Sequence, residues 1–420
     1  LPVFVLAMLW LGRIVATVRS SVIEMMATCP VQTESRVDST HERMIWRNAI
    51  LVSVRAILLK LPWLLTSIVV VEVIFAYPGL GRMLLESALF GDISMVEAVA
   101  VAAILILVTA RFVGDAITIF LDREFALAGK SAPATETMAK ISPSEPFRDA
   151  TTRQRRPFLG SPIAFVGGAL VMFWVIVAIF APGIADYDPN MNDFAALADP
   201  TPGGVHLLGT DHMARDMLSR LAWGARTVLT VASIAVLCAY ALGGLMAMMA
   251  AFAGGWIETL IDFLADILLS LPALIVYIFV IMTFGPSALT VVVATAVVLS
   301  PSIARSIHRL VLDSRGQEST GGAGIRGDGP YRIAVVTLFA EACTKTGVAT
   351  AFIVVLGFLG ICLPPLDPEW GGMVKDTTAM IIIWPHMMVL PSMAIFSLVI
   401  GFNLLAEGLR RTVARARTAA

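Results

Sequence analysis

Residues 227–253 read TVLTVASIAVLCAYALGGLMAMMAAFA, a run of 27 residues without Asp, Glu, Lys or Arg. A helix needs about 20 predominantly apolar residues to cross a bilayer. Three further apolar runs are clear and five are weaker: Ile163–Ala181, Ser287–Ala304 and Ala379–Leu405, then Leu1–Val18, Leu61–Tyr77, Val96–Leu121, Leu260–Phe284 and Val348–Leu363. Backbone polar groups in hydrocarbon must be satisfied within their own segment, and the alternation of a barrel strand is absent. The sequence therefore predicts an all-α polytopic membrane protein with about nine transmembrane helices.

The overall composition agrees with a membrane protein. Hydrophobic residues make up 58% of the 420 residues, charged residues make up 15%, and the mean hydropathy is +0.84. These values exclude an ordinary soluble globular protein. The four cysteines are far apart and lack the spacing of a metal or redox site, so we interpret them as small packing residues.

Basic residues predict which side of the membrane each polar segment occupies, because Lys and Arg close to the ends of spans stay in the cytoplasm. They concentrate in three segments and at the C-terminus: Arg19–Lys60, Arg123–Arg156, Arg305–Arg332 and Arg410–Arg417. The segment Asp186–Asp216 is instead rich in acidic residues. This distribution predicts a cytoplasmic C-terminus and places the acidic segment outside.

The polar gaps divide the chain into two modules. Gly129–Pro157 is polar and rich in Ser, Thr and Pro, which is typical of a flexible cytoplasmic linker. Residues 158–420 then form a complete six-span module, and residues 1–128 form the C-terminal three spans of a first module. Since the chain begins without Met and the first module has half as many spans, we expect that about three spans and an N-terminus are missing.

Two polar loops resemble each other. Thr28–Ala49 and Gly316–Ala334 each follow a basic stretch and lead into an amphipathic start of the next span. A short helix lying parallel to the membrane can dock into a groove of a soluble partner, although an ordinary solvated loop explains the pattern equally well. The candidate contact residues are Thr33, Glu34, Arg36, Asp38 and Glu42 in the first loop and Gly322, Ala323, Arg326, Gly327 and Gly329 in the second.

A third motif is the most specific. His206–Arg226 reads HLLGTDHMARDMLSRLAWGAR, and its candidate residues are Gly209, Thr210, Asp211, Arg215, Asp216 and Arg220. With Glu72–Arg82, Gly254–Glu258 and Asn403–Arg411, this motif resembles the two permease subunits of the dipeptide, oligopeptide and nickel class of bacterial ABC importers. Residues 1–128 resemble the C-terminal part of the first subunit. Residues 158–417 resemble nearly the whole second subunit.

The resemblance implies a fold and a set of partners. The fold would be that of tandem type I ABC importer permease modules in the cell (inner) membrane. Two ATPase subunits would dock on the two loops and would bind ATP and Mg²⁺, with no cofactor on this chain. A periplasmic or lipid-anchored solute-binding protein would deliver a peptide or a related small solute such as nickel or an opine. Nucleic acid would not be a partner.

Both loops depart from the family pattern, which has a Glu-Ala-Ala-type core followed by Gly. In the first loop Asp38 occupies the Gly position, and the second loop keeps Ala323 and Gly327 but loses the acidic residue. Each extra glycine costs a helix about 0.8–1 kcal/mol relative to Ala. The second loop is therefore expected to order on a partner, and a decayed or non-transporting membrane scaffold remains the alternative function.

Acidic residues inside or near the apolar runs form the last candidate set. Charged groups are costly in the bilayer, so they face the protein interior or a water-filled path. The candidates for pore lining or inter-helix pairing are Glu72, Asp115, Asp262 and Asp266. A location at the interface, where side chains reach the headgroups, is the alternative. We interpret none of them as a substrate ligand.

The sequence offers no site for chemistry. Gly129-Lys-Ser131 lacks the first glycine of a phosphate loop, because Glu124 stands at that position. The five histidines have no zinc spacing. His206 and His212 lie close to Asp211, but satisfied surface histidines explain them better than a metal site. We therefore predict a pore-forming subunit without catalytic or metal-binding residues.

Overall fold

A computed structural model describes most of the chain beyond residue 60. Apart from Leu11, Val15, Val18 and Arg19, the described residues are 61–128, 161–198, 200–203, 205–319, 329–364 and 367–418. Their regular structure is helical, with two isolated antiparallel bridges, Asn192–Arg215 and Thr210–Asp216. The predicted linker, the whole first loop and residues 320–328 of the second loop lie outside these ranges. The module boundaries at 128 and 158 therefore stay a prediction.

Between residues 61 and 128, the described part of the first module contains three helices. They are α1 (Leu61–Ile74), α2 (Leu80–Phe90) and α3 (Ile93–Ala128). The short α2 ends at Gly91, whose φ of +74° is the left-handed conformation that glycine adopts without strain. After this turn, α3 begins only three residues beyond the end of α2.

Nine helices lie in the described part of the second module. They are α4 (Pro162–Ile179), α5 (Ala181–Ile184), α6 (Met217–Ala253), α7 (Gly255–Ser270), α8 (Ala273–Phe284), α9 (Ala288–Ser319), α10 (Gly329–Leu359), α11 (Trp370–Thr377) and α12 (His386–Thr418). The 3₁₀ turns Phe194–Ala198 and Thr378–Met380 lie in the loops. The turn after residue 253 is tight, because only Gly254 separates α6 from α7 and its φ is +58°.

Within the described residues, six helices are long and apolar enough to cross a membrane. They contain Ile93–Ala110, Pro162–Ile179, Met217–Ala253, Ala288–Val311, Ala334–Leu359 and His386–Val413. The bent pair α7 and α8 makes a seventh if it is one span. The helical membrane fold is thus confirmed, while the number nine is not. Leu1–Val18 lies outside the described residues except for Leu11, Val15 and Val18, and α1 has only 14 residues.

Two predicted spans differ from the structure. Leu260–Phe284 is not one straight helix, since α7 and α8 meet at 91°. Pro272 lacks an N–H and pushes Leu271 into an extended conformation, with ψ at 139°, which ends α7. The predicted span Ala379–Leu405 also starts too early, because α12 begins at His386. The apolar residues before it belong to the loop between α11 and α12.

The helices approach each other closely through glycines. A side chain at Gly243 of α6 would lie 2.7 Å from the Ser300 carbonyl of α9. On α4, Gly167 faces the backbone of α12 at Gly401 and Leu405. Such small residues allow membrane helices to pack backbone to backbone. One buried cluster then continues from α1, α2 and α3 into α6, α8, α9, α10 and α12.

Candidate functional site

The predicted partner loops are mostly beyond the described residues. Thr33, Glu34, Arg36, Asp38 and Glu42 lie there, as do Gly322, Ala323, Arg326 and Gly327. Of the second loop's candidates, Gly329 alone is described, as the first residue of α10. The structure does place the loop between the ends of two spans, because α9 ends at Ser319 and α10 begins at Gly329. The contact role of these residues stays a prediction.

The most specific motif folds into a buried turn at the start of α6. Asp211 accepts hydrogen bonds from the backbone N–H groups of Met213 (2.8 Å) and Arg215 (2.9 Å) and from Nε of Arg215 (2.7 Å). Thr210 pairs with Asp216 in an antiparallel bridge. Asp216 then caps α6, because its carboxylate accepts from the N–H of Ser219 at 2.7 Å.

His206 ties this turn to the acidic loop before it. Its Nδ1 lies 2.9 Å from Oδ1 of Asp216, and its Nε2 lies 3.4 Å from Oδ2 of Asp193. The ring also contacts Tyr187, with centroids 4.8 Å apart. The interpretation of His206 as a surface residue is wrong, since it is only 4% exposed. Each ring nitrogen thus has a carboxylate oxygen within 3.4 Å, and these polar neighbours offset the cost of burying the ring.

The remaining motif residues complete the same structure. Gly209 adopts φ of +77°, and its carbonyl accepts from the N–H of Met217 at 3.1 Å. Arg220 lies 3.6 Å from Asp211 and donates from Nη1 to the Pro189 carbonyl at 3.3 Å. All six candidate residues of the motif are buried: Gly209, Thr210, Asp211, Arg215, Asp216 and Arg220. They therefore anchor the loop before α6 to that helix.

Glu72 lies at a helix end. Its carboxylate accepts hydrogen bonds from the N–H groups of Gly81 (2.7 Å) and Arg82 (3.1 Å) at the start of α2. The first N–H groups of a helix have no partner within the helix, and the helix dipole favours a negative charge there. Glu72 thus holds α2 against α1, which is inter-helix pairing.

Asp262 and Asp266 lie on α7 next to the turn at Gly254. They line a cavity of about 330 Å³ between α6, α7 and α9. Asp266 forms an ion pair with Arg305 of α9 at 2.6 Å, and both aspartates are exposed. Asp115 lies within α3. Among the described residues, no group of three His, Cys, Asp or Glu could hold a metal ion.

Sequence reasoning missed a second acidic contact, at the start of α11. Glu369 precedes α11, is 8% exposed, and packs against Gly357 of α10. Its Oε2 has no hydrogen-bond partner in the described part of the chain. Burial raises the pKa of Glu369 to about 7. The signal that could have found it is the likeness of Pro368–Gly372 (PEWGG) to Pro78–Arg82 (PGLGR).

Comparison with known families now identifies the class. The model of the family described as binding-protein-dependent transport system inner membrane component matches residues 1–126 and 239–418. The chain belongs to this family. The model of the N-terminal transmembrane domain of oligopeptide transport permease C matches residues 146–200. The two segments of the first match lie on either side of the predicted linker.

Several curated proteins are similar to this inner membrane component. The dipeptide transport system permease protein DppC of Haemophilus influenzae is 30% identical over 59% of this chain and 88% of its own length. The glutathione transport system permease protein GsiD of Pectobacterium atrosepticum is 30% identical over 61% and 87%. The DppC protein of Alkalihalophilus pseudofirmus is 29% identical over 67% and 92%.

Family membership confirms the coarse predictions. The chain is a multi-pass permease component of an ABC importer in the inner membrane, and such subunits are not themselves catalytic. The family implies an ATPase and a solute-binding protein as partners.

Proposed function

We propose that this chain forms the translocation path of an ATP-driven importer of peptides or a closely related small solute. The observation that carries the proposal is the match of one permease family to two segments of the chain, together with relatives named for dipeptide and glutathione transport. Those two named solutes are both small peptides. A peptide is therefore the preferred substrate over nickel or an opine.

Two ATPase subunits dock from the cytoplasm, one on each predicted loop, and they alone bind ATP and Mg²⁺. The basic end of α12, with Arg410 and Arg411, then lies in the cytoplasm, as the positive-inside rule predicts. Closure of the ATPase dimer moves both loops, and the two modules rock about the path between them. This chain supplies shape and coupling, and it binds no cofactor.

A solute-binding protein docks on the opposite face. Large apolar side chains are exposed on the loops at the end of α2, before α6 and before α12: Phe90, Phe194, Val205, Leu207 and Ile382. Exposed apolar groups outside the bilayer are typical of protein-binding surfaces. The buried motif at Gly209–Arg220 holds the middle of this surface rigid, so docking is transmitted directly to α6.

The test is transport by the chain co-expressed with the ATPase subunits and binding protein of its own source, reconstituted in proteoliposomes. We expect uptake of radiolabelled dipeptide that requires ATP. Shuffling the order of Gly322–Gly327 should abolish both ATPase capture and uptake. Shuffling the equally long linker segment Ser142–Phe147 is the matched control and should leave both unchanged.

Two results would overturn the proposal. Uptake without ATPase subunits would remove the coupling role of the loops. Failure of the unshuffled chain to capture any ATPase subunit would favour a decayed or non-transporting scaffold.

A further inference from the structure

A cavity of about 670 Å³ lies between α4, α6, α10 and α12, and none of the six buried candidate residues of the motif lines it. Its walls are mainly apolar and include Val175 of α4, Cys343 of α10 and Phe402 of α12. The volume is within the range of about 300–1,000 Å³ that is usual for small-molecule sites.

One face of α6 makes the cavity polar at one side. Arg226, Thr230 and Ser233 are spaced four and three residues apart, so they lie on the same face of the helix and line the cavity together. A guanidinium group and two hydroxyl groups on one helix face can together donate hydrogen bonds to an anionic group.

The described residues provide no such partner. Arg226 is exposed, and its recorded contact is with the ring of Trp223 at 5.3 Å, with no carboxylate within ion-pair distance in the described part of the chain. Thr230 and Ser233 likewise make no side-chain hydrogen bond there. By contrast, Thr227 and Thr346 donate to carbonyls of their own helices at 3.1 and 2.9 Å.

The position of Arg226 in the sequence shows how deep in the bilayer the polar end of the cavity lies. It directly precedes the apolar run that begins at Thr227, at the end of α6 that the proposed orientation puts outside. The other lining residues reach deeper, to Phe339 in the first part of α10. The cavity therefore runs from headgroup level into the hydrocarbon, and the half-exposed Ile234 and Phe339 leave it open to lipid.

We propose that this cavity binds one phospholipid of the outer leaflet, with the phosphate on Arg226 and an acyl chain between α4, α6 and α10. The guanidinium group matches a phosphate in charge and geometry, and hydroxyl groups such as that of Thr230 can donate to its oxygens. The apolar side chains that line the deeper part of the cavity match the apolar surface of an acyl chain.

Two other occupants fit less well. A zwitterionic peptide would leave its ammonium group unpaired, because no Asp or Glu is among the described residues that line the cavity. A transmembrane helix about 30 Å long and about 10 Å across is several times too large. The proposal rests on the proposed orientation only for the choice of leaflet.

The test is native mass spectrometry of the purified permease complex titrated with phosphatidylglycerol or with diacylglycerol, which has the same chains but no phosphate. We expect one tightly retained phosphatidylglycerol and binding of diacylglycerol that is weaker by about tenfold or more, as loss of a charge-assisted contact implies. Arg226→Gln should weaken phosphatidylglycerol binding to the diacylglycerol level. Ala342→Trp should fill the cavity and abolish the binding of both.

The matched control is Arg309→Gln, which removes an exposed arginine of α9 outside this cavity and should retain the lipid. Thr230→Val tests the site with nearly unchanged side-chain volume and should weaken only phosphatidylglycerol. Equal retention by Arg226→Gln and the unchanged protein would overturn the proposal. So would displacement of the lipid by a dipeptide, which would make the cavity a substrate site. Neither result depends on transport activity.

Discussion

The hairpin of α1 and α2 and the hairpin of α10 and α11 pack in the same way, but two residues are exchanged between their helices. In the first, α2 folds back on α1, and a side chain at Gly81 would lie 2.6 Å from Cα of Val69. In the second, α11 folds back on α10, and a side chain at Gly371 would lie 2.8 Å from the N–H nitrogen of Phe358. Each hairpin therefore needs glycine at the same place in its short helix.

The acidic residue lies on different helices in the two hairpins: Glu72 is on the long helix α1, whereas Glu369 is at the start of the short helix α11. Glu72 of α1 occupies the position of Gly357 in α10, three residues after Val69 and Val354 respectively. Opposite them, Gly79 occupies the position of Glu369. A side chain at Gly79 would collide with the Glu72 carboxylate, and one at Gly357 would lie 2.7 Å from Oε2 of Glu369. In each hairpin one carboxylate occupies the space opposite a glycine: Glu72 reaches it from the long helix, and Glu369 reaches it from the start of the short helix.

The exchange changes what stabilises each hairpin. Glu72 accepts two backbone hydrogen bonds, whereas Oε2 of Glu369 has none in the described part of the chain. Packing compensates in the second hairpin, because Trp370 is fully buried while the corresponding Leu80 is 42% exposed. A short helix can therefore be held against its neighbour either by a carboxylate that caps its N-terminus or by packing of a buried aromatic side chain.

Replacing the aromatic side chain should have the largest effect. Trp370 lies against Gly224, donates to the Leu221 carbonyl at 3.0 Å and contacts Trp174 edge to face. We expect Trp370→Ala to lower the free energy of unfolding by about 3–5 kcal/mol. Leu80→Ala should cost less than about 1 kcal/mol because that side chain is exposed. Denaturant unfolding of the purified chain measures both, and equal losses would contradict the comparison.

Filling the glycine contacts should affect both hairpins alike. We expect Gly81→Ala and Gly371→Ala each to destabilise by about 1–3 kcal/mol, because the added methyl group would meet backbone that cannot move aside. Gly244→Ala is the control, since the nearest atom would be 3.8 Å away on Ile307. It should be neutral or stabilising by up to about 1 kcal/mol. A destabilised control would show that any helix glycine is sensitive in this fold.

Removing the carboxylates should affect the hairpins differently. Glu72→Ala leaves the N–H groups of Gly81 and Arg82 without acceptors, and we expect a loss of about 1–2 kcal/mol. Glu369→Gln should be neutral or stabilising at pH 8, because it removes a buried charge without a hydrogen-bonded backbone partner. Unfolding at fixed pH compares the two variants. A loss for Glu369→Gln at pH 8 as large as that for Glu72→Ala would contradict this difference between the hairpins.

The pH dependence should distinguish the hairpins further. Burial raises the pKa of Glu369 to about 7 from the ordinary value of 4.5, with Asp367 and Asp376 nearby raising it and Lys375 opposing. The contribution of Glu369 to the free energy of unfolding is therefore complete below pH 4.5 and is lost as the pH rises through 7. The slope of this free energy against pH should not exceed about 1.4 kcal/mol per pH unit for one proton. Unfolding measured between pH 5 and 8 should lose this slope in Glu369→Gln, and an unchanged slope would assign it to another group.

The sequence predicted the helical class and the clear spans Ile163–Ala181, Thr227–Ala253 and Ser287–Ala304, because crossing a bilayer imposes a long apolar run that is visible residue by residue. The break at Leu271–Pro272 was not predicted as a right-angle bend, because a proline alone does not say whether a helix kinks or ends. The buried state of His206 and Asp211 was missed for a different reason. Their polarity suggests a surface, and only the fold shows that Asp216 and Arg215 satisfy them.

Moving the carboxylate from position 369 to position 357 should have the smallest net effect on the free energy of unfolding. Gly357→Glu alone puts two carboxylates into one buried space and should destabilise strongly, because like charges cannot both ionise there. Adding Glu369→Gly recreates the arrangement of the first hairpin, in which the carboxylate on the span can accept from the N–H groups of Gly371 and Gly372. We expect the double variant to return to within about 1 kcal/mol of the unchanged chain, which is a coupling typical of residues in direct contact. If the second substitution rescues nothing, the two hairpins share a glycine contact but do not share a carboxylate site.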